Sequence, residues 1–102
     1  MQLTHHDVQL GYFEFVQHRV SNLLSGELLR IKDEGCANAR EELVLKFSKK
    51  FIETLELQAK LGYKPKRAKA NHIVYWQAEE SDKEVKIVLP ELNFEKNHDP
   101  DT

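Results

Sequence analysis

Residues 60–76 read K-L-G-Y-K-P-K-R-A-K-A-N-H-I-V-Y-W, and this stretch joins the two kinds of secondary structure that the chain predicts. A long amphipathic pattern stops at Gly62, and an aromatic, β-branched segment typical of a strand follows. Around this boundary five cations fall within ten residues: Lys60, Lys64, Lys66, Arg67 and Lys69. Charge, aromatic side chains and a structural boundary coincide here, which makes the stretch the best candidate for binding a polyanion or an acidic partner.

The segment before this stretch, residues 38–61, predicts the clearest helix. Asn38 with Glu41 three residues later resembles a capping box, and Lys60 followed by Gly62 is a typical helix end. The apolar positions recur at spacings of three and four and form one stripe. That stripe consists of Leu43, Val44, Phe47, Phe51, Leu55, Ala59 and Leu61.

A second amphipathic pattern, in residues 4–24, predicts another long helix with Thr4 as its N-cap. Part of it also alternates with a period of two, so a strand over residues 8–16 is the rival interpretation. Ser25 and Gly26 interrupt the pattern. Residues 27–32 are interpreted as a separate helical turn or a bent continuation of the helix, and residues 33–38 as a loop.

The C-terminal third predicts a β-hairpin with strands at residues 71–78 and 85–89. The connection between them, E-E-S-D-K-E, is polar and turn-like, and Pro90 is expected to end the second strand because it has no amide hydrogen to donate. The predicted fold class is therefore α+β: two long amphipathic helices followed by a C-terminal antiparallel β-hairpin. Residues 1–96 are assigned to a single domain and residues 97–102 to a flexible tail.

The apolar surface of these elements exceeds what two helices and a hairpin readily cover. A homodimer, through helix packing or through paired hairpin edges, is one solution. The alternative is that residues 27–32 and 92–94 complete the core of a monomer.

Composition limits the functional classes. The chain has 102 residues and a net charge of −2, so attraction to nucleic acid requires a local patch. Cys36 is the single cysteine, which excludes an intrachain disulfide. No apolar run is long enough to span a bilayer, and the N-terminus lacks the pattern of a secretion signal. These features predict a cytoplasmic protein without membrane contact.

Candidate binding residues form two groups. A nucleic-acid or acidic-partner site is predicted at Lys60, Lys64, Lys66, Arg67, Lys69, Tyr75 and Trp76, since aromatic rings stack on exposed bases. The alternative is a solvated loop whose aromatic side chains pack on the helices. A small-molecule pocket between helices and sheet is predicted at Tyr12, Phe47, Phe51 and Trp76.

Motifs for catalysis, metal binding and cofactor binding are missing from the sequence. The five histidines lack the spacing of zinc ligands, and no histidine lies near Cys36 in sequence to activate its thiol. No metal or cofactor is expected, and an enzyme is the less favoured interpretation. The leading hypothesis is a small non-catalytic interaction or regulatory module, homodimeric and cytoplasmic, that binds another macromolecule, with an unidentified protein as its expected partner. The alternatives are a nucleic-acid-binding protein and a small-molecule-binding domain.

Overall fold

The computed structural model describes residues 1–32, 34–77 and 82–96. Within them, two short helical regions accompany five strands. A 3₁₀-helix, Leu10–Val16, continues into a four-residue α-helix, Gln17–Val20 (α1), and the second α-helix is Lys49–Lys60 (α2). The strands are Leu28–Lys32 (β1), Gly35–Ala37 (β2), Leu43–Lys46 (β3), Tyr63–Gln77 (β4) and Glu84–Lys96 (β5). They form one antiparallel sheet in the order β3-β2-β1-β4-β5.

The predicted fold of two long helices and a hairpin is therefore wrong, because the described chain is mostly β. Residues 4–24 supply helix only over residues 10–20, and the segment from Leu28 to Lys32, predicted as a helical turn, is a strand. It pairs with β2 on one side and with Ala68 and Lys69 of β4 on the other. The segment is short enough for its apolar spacing to fit a helical turn as well as a strand, and its strand partners are distant in sequence, which is why helical spacing misled the prediction.

The predicted helix over residues 38–61 is correct only in its second half. Asn38 does not cap a helix: its side chain accepts hydrogen bonds from the backbone N–H groups of Arg40 and Glu42 and so holds a turn. β3 follows, with Val44 and Leu45 both fully buried. A short apolar run buried on both faces fits a strand as well as a helix. The true N-cap of α2 is Ser48, whose Oγ accepts from the N–H of Phe51 at 3.2 Å.

The predicted hairpin is present but much longer than expected. β4 begins at Tyr63, so the cationic stretch is strand rather than loop, and β5 runs through Pro90 to Lys96. Pro90 is tolerated because it lies on the outermost strand, opposite a register irregularity between Lys69 and His72. The predicted C-terminal tail and residue 78 lie outside the described residues.

The N-terminal residues cover both outer strands of the sheet. On β5, the N–H of Leu3 donates to the carbonyl of Pro90 at 3.0 Å, and the N–H of Leu92 donates to the carbonyl of Met1 at 2.8 Å. On β3, the N–H of Gln9 donates to the carbonyl of Lys46 at 2.9 Å. Because one segment contacts both ends of the sheet, the sheet curls around a shared core. The largest fully buried side chains of that core are Phe13, Phe47, Leu3, Leu45, Ile87 and Leu92.

At Gly35, β2 and β3 approach each other closely. A Cβ atom built there would overlap the backbone carbonyl of Leu45 on β3. We expect Gly35→Ala to lower the free energy of unfolding by about 3 kcal/mol or more, because backbone rather than a flexible side chain must move. Gly11→Ala is the control, since its Cβ would meet no atom within 4 Å. Urea unfolding followed by circular dichroism measures both, and equal effects of the two substitutions would contradict this account.

Gln17 acts as a substitute peptide group on the edge of β5. Its Nε2 donates to the carbonyl of Lys86 at 2.7 Å, and its Oε1 accepts from the N–H of Lys86 at 3.0 Å. We expect Gln17→Glu to cost about 1–3 kcal/mol of unfolding free energy, because a carboxylate cannot donate to that carbonyl. Gln58→Glu on α2 is the control and should cost less than about 1 kcal/mol. The interpretation fails in urea titrations if the two variants are equally stable.

Candidate functional site

The predicted cations do not form a loop cluster but lie mostly in a row along β4. Lys60 is the last residue of α2, whereas Lys64, Lys66, Arg67 and Lys69 belong to β4. Ala68 and Ala70 are buried, so the neighbouring Arg67 and Lys69 point to the opposite face of the sheet. We call this exposed side, which also carries Leu28 and Arg30 of β1, the outer face.

β5 places acidic or neutral side chains directly beside this row. Lys64 pairs with Glu95, Arg67 with Asn93 and Lys69 with Glu91. Paired residues on one face of an antiparallel sheet have Cβ atoms about 5 Å apart, so these opposite charges attract across the strands. In the described part of the chain none of them forms an ion pair within 4.0 Å. The outer face therefore presents two parallel rows of charge, positive on β4 and negative on β5.

Lys66 and Arg67 differ from the other two cations of the row. Register shifts between Pro65 and Arg67, which leaves Lys66 without a paired residue on β5. Arg67 faces the amide of Asn93 rather than a carboxylate. Both side chains are exposed, so they are the least neutralised positive charges on β4.

The predicted aromatic residues lie at the other end of the hairpin. Tyr75 is 70% exposed and pairs with Lys86, and Trp76 is half-buried, pairs with Val85 and packs against the core. At about 3.3 Å per strand residue, Tyr75 lies roughly 25 Å from Arg67. The structure therefore separates the two halves of the predicted site. Tyr63, which is partly exposed and pairs with Lys96, directly precedes the cations of β4.

Several outer-face residues were absent from the sequence-based site. Leu28 is 69% exposed and pairs with Lys69, and Arg30 forms an ion pair with Glu41 at 2.9 Å. Glu91 and Glu95 complete the surface on β5. Alternating apolar and polar residues in L-L-R-I-K, residues 28–32, and in E-L-N-F-E-K, residues 91–96, indicate these strands. The sequence-based prediction missed them because the first segment also fits helical spacing and because Pro90 was expected to end the strand before the second.

The four residues of the predicted aromatic pocket belong to the packed interior or its margin. Phe47 is fully buried, and its ring centroid lies 5.1 Å from that of Phe51. Tyr12 is half-buried beneath Lys46, whose Nζ lies 5.0 Å from the ring centroid. Trp76 packs against the same core. Three surface cavities of the described residues are lined by none of these four side chains.

One surface groove, of about 490 Å³, lies between α1 and the turn that follows β2. Arg19 and Glu42 line it, with Arg19 Nε 3.7 Å from a Glu42 carboxylate oxygen. Arg19 Nη1 also donates to the backbone carbonyl of Leu43 at 3.0 Å. These contacts of Arg19 tie α1 to the edge of the sheet.

Cys36 is fully buried on β2. Burial raises the pKa of its thiol from the ordinary 9.0 to about 12, because an apolar surrounding disfavours the thiolate. A neutral, inaccessible thiol is a poor nucleophile. Its position in the sheet therefore fits a packing role.

Comparison of the chain with protein-family models, with curated proteins and with solved structures found no match. Among the residues that the structure describes, no three His, Cys, Asp or Glu side chains come together as metal ligands. In the same residues, no helix is long and apolar enough to cross a membrane. The functional argument therefore depends on the surface geometry alone.

The raised pKa of Cys36 predicts a pH dependence of stability. The unfolded chain releases the thiol proton above about pH 9, whereas the folded protein keeps it up to about pH 12. The contribution of this thiol to the free energy of unfolding is therefore complete below pH 9 and is lost between pH 9 and 12. We expect the unfolding free energy of the native protein to fall faster than that of Cys36→Ala, by at most about 1.4 kcal/mol per pH unit. Urea titrations at pH 8–11 measure both proteins. If the unfolding free energies of the native protein and of Cys36→Ala change with pH in parallel, the raised pKa of Cys36 is refuted.

Proposed function

We propose that this chain is a small non-catalytic module that binds another protein through the outer face of its sheet. The observation that carries the proposal is the pair of exposed charge rows on β4 and β5, next to the exposed side chain of Leu28. A protein surface with the reverse pattern of charges would meet both rows favourably. The exposed leucine adds apolar area, which binding would remove from water.

A protein partner fits this surface better than a continuous polyanion does. Glu91 and Glu95 stand beside Lys69 and Lys64, so a phosphate backbone laid on β4 would lie close to two carboxylates. Like charges brought together at an interface oppose binding and thereby exclude wrong partners. The proposal includes no reaction, and it retains the cytoplasmic location that the single cysteine favours.

Nucleic acid is the second candidate, supported by Lys66 and Arg67. These two exposed cations have no carboxylate opposite them on β5. A single strand crossing the hairpin near Tyr63, rather than following β4, would contact them and a partly exposed ring. The small-molecule pocket stays a prediction that this proposal does not use, because its phenylalanine rings lie in the packed core.

Two double variants separate these candidates. Lys66→Ala with Arg67→Ala removes the least neutralised cations, and Glu91→Gln with Glu95→Gln removes the acidic row. A protein partner that reads both rows should be lost with either double variant, whereas nucleic-acid binding should be lost with the first and strengthened by the second. Lys49→Ala with Lys50→Ala, two exposed cations of α2, is the matched control.

The protein arm uses chemical cross-linking in cell extract, with each cross-linked partner identified and then purified for binding measurements. We expect each outer-face double variant to weaken the purified complex by at least about tenfold. Each variant removes two charged side chains at once, and charged pairs at the centre of an interface contribute more to binding than those at its rim. The control variant should bind as the native protein does. A partner that tolerates both outer-face variants would refute the proposed surface.

The nucleic-acid arm uses fluorescence anisotropy of labelled single- and double-stranded oligonucleotides. Trp76 would report poorly on this surface, because it lies roughly 30 Å along the hairpin from Arg67. Binding by this route predicts a log–log salt slope that decreases by about 1.4–1.8 when Lys66 and Arg67 are both replaced. An unchanged slope, or no binding at low salt, would eliminate this candidate.

A further inference from the structure

The two charge rows of the outer face are in register with each other. Lys69 of β4 pairs with Glu91 of β5, and both side chains are half-buried, so we call them the half-buried pair. Lys64 and Glu95 are also paired, and they are exposed, so we call them the exposed pair. The two glutamates are four residues apart on one strand, which separates the pairs by about 13 Å. At each of these two heights along the hairpin, a cation and a carboxylate therefore lie side by side.

The charges of both pairs are available to another molecule. Ala68 and Leu92 are buried, and side chains alternate between the two faces of a strand, so the half-buried pair projects from the outer face. Among the residues that the structure describes, neither pair takes part in an ion pair within 4.0 Å. A binding partner would therefore not have to break an existing ion pair in order to reach them.

We propose that a second copy of this chain binds the outer face, packed face to face about a twofold axis that runs parallel to β4 and β5 and midway between them. Half a turn about this axis keeps the height of every residue along the hairpin and exchanges left and right. β4 of the second copy therefore lies over β5 of the first copy, and its β5 lies over β4. Each row of cations then faces a row of carboxylates, which favours association.

The register of the hairpin makes this face self-complementary. Because the two members of a pair share one height, Lys69 faces Glu91 of the second copy. For the same reason Lys64 faces Glu95 of the second copy. Each contact occurs twice, since a twofold axis uses the same surface on both copies. The reversed charge pattern that the outer face requires of a partner is thus carried by the chain itself.

Other ways of stacking two outer faces are less favourable. A twofold axis across the strands would lay β4 over β4, so that cations face cations, and like charges at an interface oppose binding. Arg67 gives each face an additional positive charge between the two pairs. With the axis parallel to the strands, Arg67 lies over Asn93 of the second copy, whose amide oxygen is a hydrogen-bond acceptor. The proposed axis therefore keeps this charge from lying over another cation.

The expected association is weak. The sheet curls around its core, so the outer face is convex and the two copies touch only along β4 and β5. Exposed ion pairs each contribute little, and the contact covers less than the roughly 1,200 Å² at the lower limit of typical stable interfaces. We therefore expect a dissociation constant on the order of 100 µM at low salt. A second copy would occupy the outer face only where no tighter partner is bound.

This inference rests on the proposed function, because it assigns a partner to the same face, but the two can fail separately. A monomeric native protein whose cross-linked partner depends on both charge rows would refute the second copy and leave the proposed function intact. A dimer that depends on the rows, with no other protein cross-linked to the outer face, would support the second copy and refute a different protein as the partner.

Charge reversal in the half-buried pair tests the interface. Sedimentation equilibrium of the full chain, from about 5 µM to about 1 mM, measures the dissociation constant at about 20 mM salt, where screening is weak. Lys69→Glu makes both facing residues acidic, and Glu91→Lys makes both basic, so each variant alone should raise the constant at least about tenfold. In a mixture of the two variants, the acidic face of one meets the basic face of the other. We expect this mixture to associate at least as tightly as the native protein.

Lys49→Glu and Glu53→Lys are the matched controls, because they make the same charge changes at exposed positions of α2. Each should dimerise as the native protein does, and their mixture should be no tighter. Circular dichroism verifies folding, and if a variant of the half-buried pair does not fold, Lys64→Glu and Glu95→Lys repeat the test on the exposed pair. The proposal is overturned by a monomeric native protein, by reversed variants that associate as the native protein does, by a mixture that stays monomeric, or by control variants that behave as the outer-face variants do.

Discussion

Backbone hydrogen bonding at the edges of the sheet is the constraint on which the rest of this structure depends. A sheet of five strands has two outer edges whose N–H and C=O groups need partners. The N-terminal residues supply those partners at both edges, through Leu3 and Gln17 on β5 and through Gln9 on β3. Because one short segment reaches both outer strands, the sheet has to curl, and the curled sheet encloses Phe13 and Phe47 in the core.

The curl also explains the unusual burial along β5. Buried positions follow a period of two from Leu92 to Val88, then shift by one residue so that Ile87 and Val85 are also buried. The shift lies near the register irregularity of β4 between Lys69 and His72, and such irregularities increase local twist. The hairpin therefore turns its buried face between its base and its tip.

Register decides the chemical character of the hairpin. The same pairing that builds the sheet sets Glu95 beside Lys64 and Glu91 beside Lys69. A run that is strongly basic in sequence therefore becomes one row of a surface that carries both positive and negative charges. A slip of one residue would move these side chains to the other face. The surface that we propose for protein binding and for self-association thus follows from how β4 is paired with β5.

The sequence by itself determined the features that depend on neighbouring residues. These include the end of α2 at Gly62, where φ is +89°, the location of the two hairpin strands, and the cluster of cations between them. Ser48 as the true helix cap was also readable, but the longer stripe that began at Leu43 obscured it. Only the tertiary structure decided that residues 28–32 and 43–46 are strands, that Pro90 lies inside β5, and that carboxylates accompany the cations. The physical reason is that a strand is stabilised by partners far away in the chain, whereas a helix and its caps are stabilised by residues three and four positions away.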